Sequence, residues 1–372
     1  MNQYLHPESS PLFTPWRDPV SGVTSYILST RCAAWQQAFY FTNSNVSADG
    51  RYLWLYCSNP PTPSHILGVV DFKKQTITAF PETGFQAESP YVDPVSGEVY
   101  WASGDGVYFR APASSSRVYE VGRLPEGLFG ERPVTQISTH LTLSADGRYF
   151  NLDIKNGDRW HLGVMEKTTG VFHLWETFSE HINHSQFNPA RAGLLMFAHD
   201  WWKDLKTGER HHWKNRIWLT RPGAKAAPLF APDSGKNVLR HCHEWWSADG
   251  KGIWFVDYDH GTEYYDLDSG EHLNVWAGGT CHSHASRDGK LLVGDINTYH
   301  PTPENPRKVT FFNRETGKET NIVTAYPDQI ARRAYHPDPH PQFILDDELI
   351  AYTTWVLGRL DFALVRVSDL TG

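Results

Sequence analysis

A short pattern returns along the whole chain: an apolar or aromatic residue, a small residue or Ser, a turn with Asp and often Gly, then an alternating apolar strand. It reads NVSADGRYLWLYC from Asn45, YVDPVSGEVYWAS from Tyr91, LTLSADGRYFNLD from Leu141 and QFNPARAGLLMFA from Gln186. It continues as WWSADGKGIWFVD from Trp245, HASRDGKLLVGD from His284 and QFILDDELIAYTT from Gln342. Seven copies, spaced roughly 40 to 60 residues apart, have the period of four-stranded propeller blades. Between them lie second turns with Gly, in MEKTTGVFHLW, DLKTGERHHW, DLDSGEHLNVW and NRETGKETNIV, each marking a hairpin between two strands. The expected fold is therefore all-β, a seven-bladed β-propeller of four-stranded blades formed by residues 1–372 as a single domain. The C-terminal DLTG begins a turn that is not completed, so residues around TSYILST near the N-terminus are expected to supply the missing outer strand of the last blade.

The composition agrees with many short strands joined by turns. Aromatic residues make up 14% of the chain, with 29 Gly, 24 Pro and three Met among 372 residues. The net charge of −8 is spread without acidic or basic blocks, which argues against nucleic acid or an anionic membrane surface as a partner. An anionic substrate would need a local cationic site. Cys32, Cys57, Cys242 and Cys281 form no CxxC pair, so neither a disulfide framework nor a zinc ribbon is expected. The N-terminal sequence lacks a basic end followed by an apolar core, and no segment has the length and apolarity of a membrane span. A cytoplasmic location is expected.

The chemistry concentrates in 19 histidines. They gather just before the repeat turns, where the innermost strand of each blade should lie: His181 and His184, His241 and His243, His282 and His284, His336 and His340. The last pair sits in AYHPDPHPQF, whose prolines exclude a helix and hold the segment extended. On regular strand backbone the first and last histidines of HCH and HSH, and of HPDPH, face the same way. Neutral imidazole is the commonest ligand of divalent transition metals, and carboxylate or water would complete an octahedral site of the Mn2+ type. HEWW lacks the second His of a zincin helix, and the chain carries no phosphate-binding loop or nucleophile elbow.

HCHEWWSADGKGIWFVD, CHSHASRDGKLLVGD, HPDPHPQF, NRIWL and HSQFNP together resemble the oligogalacturonate lyases, seven-bladed propellers of polysaccharide lyase family 22. The resemblance spans residues 35 to 360 and is most specific from His184 to Phe343. It implies β-elimination on short galacturonate oligomers, giving 4,5-unsaturated products, with Mn2+ held by histidines and a glutamine. By position it implies His243 as the base and Arg216 as the carboxylate-neutralising arginine. His282 and His340 fall on metal-ligand positions, Asp338 stands where the family has a histidine, and the glutamine position falls near Tyr335 and His336. The implied cage is His282, His336 and His340, with Asp338 a fourth ligand or a partner of the ligands and His284 a further candidate.

Two other readings remain open at this level: a lyase acting on a different uronate oligosaccharide, and a non-catalytic propeller that binds protein partners. A metal-dependent hydrolase or lactonase would favour carboxylate-rich ligands over the histidines found here. Trp201, Trp202, Trp245 and Trp246 could stack on sugar rings or pack inside blades.

Overall fold

The computed structural model describes residues 2–86, 89–130, 132–204, 206–212, 215–231, 240–327 and 337–371. Seven antiparallel sheets of four or five strands follow one another along the chain and form a seven-bladed β-propeller. The only helix among the described residues is the single turn Ser368–Thr371.

Each blade begins with its innermost strand and proceeds outward. In the fifth blade the order is His241–Trp246, Gly252–Asp257, Gly261–Asp266 and His272–Ala277. The Ser-Ala-Asp-Gly turns make this possible through one repeated set of bonds. Ser47 Oγ donates to Asp49 and accepts the Tyr52 N–H, and Ser144, Ser247 and Ser286 repeat this with Asp146, Asp249 and Asp288. The turn glycines Gly50, Gly147, Gly250 and Gly289 have φ between 67° and 73°, the left-handed region that a Cβ disfavours. Second strands are apolar on both faces because each is covered by a blade on either side. Leu53, Trp54 and Leu55 are all fully buried, as are Ile253, Phe255 and Val256.

The ring closes through the N-terminal segment. Thr24–Leu28 pairs with Asp361–Arg366, with Tyr26 opposite Leu364 and Ile27 opposite Ala363. A further strand, Phe13–Arg17, pairs outside it, so the segment adds two strands to the last blade where the repeat count asks for one. Asp18 ties this hairpin to its neighbour: it accepts the N–H groups of Val20 and Ser21 within its own turn and the N–H and hydroxyl of Thr324 in the sixth blade. The fourth blade carries an extra hairpin, Trp202–Lys203 against Arg210–His211, between Leu195–His199 and Ile217–Thr220.

Ile27 is fully buried against Val293, Val309 and Phe311 of the sixth blade and Ala363 of the seventh. Ile27→Ala is expected to lower the unfolding free energy by about 2–5 kcal/mol, the range for deleting a buried aliphatic side chain. Urea unfolding measures it, and a loss below about 1 kcal/mol would show that the N-terminal strand does not close the ring.

Candidate active site and metal centre

One register position carries most of the site. Counting back four residues from the first turn residue reaches His140 before Ser144, His184 before Asn188, His243 before Ser247 and His282 before Ser286. In the seventh blade the shared His-x-Gln-Phe run aligns His340 with His184. Five consecutive blades thus place an imidazole at one level of the central channel. In the first blade this position is Asn43, whose amide donates to the carbonyls of Pro90 and Leu141 and ties the neighbouring inner segments together.

The inner strands do not keep regular alternation at this level. Pairing slips between Asn183 and Gln186, between Cys242 and Trp245, and between Thr280 and Ser283, a bulge within one residue of the same place in three blades. His184, His243 and His340 have φ of 52°, 52° and 45°, left-handed values that cost a non-glycine residue about 1–3 kcal/mol. The bulge re-aims side chains. The expectation that paired histidines face the same way is therefore corrected. His243 turns toward Tyr40 and Tyr258, whereas His241 lies against Asp257, Phe230 and Phe255. His282 faces Asp295 and His340, whereas His284 stacks on Trp245 and accepts the Phe343 N–H. Burial alone pushes the His284 imidazole down to about 4, which keeps it neutral, and it lies apart from the other ligand candidates.

Tyr40 occupies the middle of this ring. Its ring centroid lies 4.5 Å from that of His140, 4.7 Å from His340 and 5.8 Å from both His184 and His282. Its hydroxyl is 2.9 Å from His243 Nδ1, and the Tyr258 hydroxyl is 2.7 Å from His243 Nε2. The imidazole is thereby fixed between two phenols. Burial raises both phenols well above the ordinary tyrosine range, with Glu244 adding to the effect at Tyr40 and Cys242 at Tyr258, so both stay protonated.

Arg216, on the residue before the strand Ile217–Thr220, anchors the next sector. Its Nε bonds Glu244 Oε2 at 2.9 Å, its Nη1 pairs with Asp200 Oδ1 at 3.2 Å, and its Nη2 lies 3.5 Å from His184 Nδ1. Burial opposes charge on both Arg216 and Glu244, but their mutual attraction outweighs it: the guanidinium is held above, and the Glu244 carboxyl well below, its usual range. Gln186 braces the bulge from the fourth blade by donating to the Glu244 carbonyl.

The candidate metal donors lie on the other side of His243. His282, Asp338 and His340 are buried and each offers a ligand atom within 4.8 Å of the others. Two ligands on one ion at bond lengths of about 2.0–2.2 Å lie some 3–4.4 Å apart, so this set fits a divalent cation. Asp295 holds His282 twice, at the backbone N–H (2.9 Å) and at Nδ1 (2.8 Å), leaving Nε2 as the nitrogen His282 can offer. Donor chemistry agrees: Asp338 is a carboxylate set among two imidazoles, and Asp295 adds a second carboxylate against His282, a grouping whose negative charge a dication would offset. His243, Cys281 and His282 also converge, but burial and the Asp295 charge push the Cys281 thiol well up, so it remains a poor ligand. The expected ligand His336 lies outside the described residues.

Of the tryptophans, Trp245 and Trp246 are buried in blade packing and Trp202 stacks on His211. Trp201 is 46% exposed, with the Arg210 guanidinium 4.1 Å from its ring centroid. It follows Asp200, the Arg216 partner, so this aromatic surface stands at the rim of the site. His181 sits beside it, bonded to the Trp201 carbonyl.

The sequence reading missed Tyr40, His140, Tyr258, Asp295 and the Asp200 and Glu244 partners of Arg216. The four-residue register would have found His140, which stands in THLTLSADG as His243 does in HEWWSADG. Tyr40 in AFYF looks like any core aromatic, and no sequence signal separates it.

No protein-family model matches the chain. An oligogalacturonide lyase from Pectobacterium atrosepticum is 26% identical over 208 residues, and the match covers 50% of this chain and 50% of that protein. The chain therefore matches about half the length of that curated relative. An oligogalacturonate lyase solved in complex with manganese superposes with a TM-score of 0.75 at 17% identity, over 96% of this chain and 97% of that one. A second solved oligogalacturonate lyase, from Vibrio parahaemolyticus, gives 0.76 at 14% identity over 95% and 96%. The chain is similar to this class of lyases in sequence and shares their propeller fold.

Because Glu244 is depressed below its ordinary value of 4.5, its charge stabilises the fold fully above that pH, and the contribution is lost only as pH falls through the lower folded value. The difference in unfolding free energy between wild type and Glu244→Gln is expected to stay constant from about pH 7 to 5 and to shrink only in stronger acid. A difference that declines between those two pH values would contradict the Arg216–Glu244 assignment. Arg216→Ala, which strands two carboxylates, should cost about 3–5 kcal/mol.

Proposed function

We propose that the protein is a metal-dependent lyase that cleaves short uronate oligosaccharides, oligogalacturonate first among them, by β-elimination to 4,5-unsaturated products. One observation carries the reading: an imidazole fixed between two phenols lies 4.1 Å, centroid to centroid, from a histidine of a buried three-donor set that fits a divalent ion. What the similar proteins are named for agrees with that chemistry.

The reaction needs a base for the C5 proton and positive charge for the adjacent carboxylate. His282, Asp338 and His340 would hold the ion, most simply Mn2+, which when bound supplies the charge that makes the C5 proton acidic. Each ring nitrogen of His243 is held by a phenol, Nδ1 by Tyr40 and Nε2 by Tyr258, so a carbon acid on the Tyr258 side would take that phenol's place at Nε2, the nitrogen that then accepts the proton. Arg216 keeps its orientation through Glu244 and Asp200. Of its five N–H groups these two carboxylates engage two and His184 one, which leaves two to bind the substrate carboxylate. Trp201 and Arg210 suit a neighbouring sugar ring and its carboxylate.

The test is ultraviolet absorbance of the unsaturated product from di- and trigalacturonate, in Mn2+ and after EDTA. Absorbance should rise, be abolished by the chelator and be absent in His243→Ala. A folded protein that binds the ion and yields no unsaturated product from either substrate would overturn the galacturonate assignment, and one that yields none from any uronate oligomer would overturn the lyase reading. Trp201→Ala should raise KM for the trimer by about tenfold, the effect of losing one stacking contact of about 1.4 kcal/mol, while leaving kcat nearly unchanged.

A further inference from the structure

A second histidine–carboxylate cluster lies inside the fifth blade, turned away from the central channel by the bulge at His243. Each of its four strands contributes one residue: His241, Asp257, Glu263 and His272. His241, Asp257 and Glu263 are 4%, 3% and 6% exposed and offer ligand atoms within 4.8 Å of one another. Around them the surface is apolar. Phe230 lies 5.2 Å from the His241 ring and 5.4 Å from the His272 ring, and Phe255 lies 4.5 Å and 5.7 Å from the same two.

Two buried carboxylates need positive charge close by. Among the described residues their ion pairs are all with histidines: Asp257 with His241 and His260, Glu263 with His272. Among the described residues no guanidinium or ammonium joins them, unlike the Arg216 sector. A network complete in itself would also use the ring nitrogens of its most buried member. Here His241 Nδ1 is buried without a hydrogen-bond partner among the described residues, and Nε2 stands 3.4 Å from Asp257 Oδ2, longer than the 2.7–2.9 Å typical of a charge-assisted bond. One imidazole and two carboxylates are donors that a divalent transition-metal ion accepts, with a water completing four-coordination.

We propose that His241, Asp257 and Glu263 bind a second divalent transition-metal ion, of the zinc type, separate from the ion at His282, Asp338 and His340. His272 and His260 brace the carboxylates, and the ion ties three strands of the blade that carries His243. Its role is structural: no open channel position is used, and the donors come from strands that hold the catalytic bulge in register.

Metal content decides it. Protein stripped with chelator, reloaded with ZnCl2 and freed of excess should carry two equivalents by elemental analysis. Glu263→Gln, close in volume to the original side chain, should retain one, held at the central site. His340→Ala, which leaves the blade untouched, should also retain one, and adding Glu263→Gln to it should leave none. The proposal is overturned if folded His340→Ala binds none, or if Glu263→Gln binds as much as wild type. Should Glu263→Gln fail to fold, His340→Ala still gives the answer. A wild type with one equivalent that His340→Ala keeps and Glu263→Gln loses would sustain this site and remove the central one, so the two assignments fail independently.

Discussion

The bulge in the inner strands is the constraint on which the site depends. A regular strand alternates its side chains between faces, and on such a strand His241 and His243 would share a side. Slipping the register by one residue, with His184, His243 and His340 held at left-handed φ, sends one histidine of a pair into the channel and the other into the blade. Bonds from neighbouring strands brace the same level of the channel: Gln186 donates to the Glu244 carbonyl, Asp295 accepts the His282 N–H, and Asp153 accepts the Thr139 N–H in the third blade. The conformation is over-determined by its neighbours, as expected of strain stored at a working site.

Two sectors then divide the labour around Tyr40. On one side Arg216 is buried between Glu244 and Asp200, an arrangement in which the guanidinium cannot leave without stranding two charges. On the other, His282, Asp338 and His340 bring a carboxylate together with two imidazoles that lie against the Tyr40 ring. His243 lies between them, with a phenol on each nitrogen. The proposed charge and the proposed proton acceptor thus come side by side from different blades, and Thr24–Leu28 closes the ring that carries those blades.

Much of this was legible in the sequence because the repeat is physical. Ser-Ala-Asp-Gly is read easily since the turn needs Gly at positive φ and a hydroxyl to satisfy the next strand, and those needs recur in four blades. His243, His282 and His340 were legible through their place before such turns, and Arg216 only through the family resemblance of NRIWL. The side toward which each histidine points was not, because alternation is a rule for regular strands and the bulge breaks it. Asp295 was hidden inside an apolar strand, LLVGD, and Tyr40 inside AFYF, where each looks like an element of packing. Both matter through contacts between blades, and contacts across 203 residues, as between Tyr40 and His243, leave no local pattern.

Anomalous diffraction at the manganese edge from a crystal soaked in MnCl2 tests the central claim most directly. The account predicts a peak bounded by His282, Asp338 and His340, about 2.0–2.3 Å from their ligand atoms and beside His243. A crystal with those side chains in place and no peak among them would contradict it.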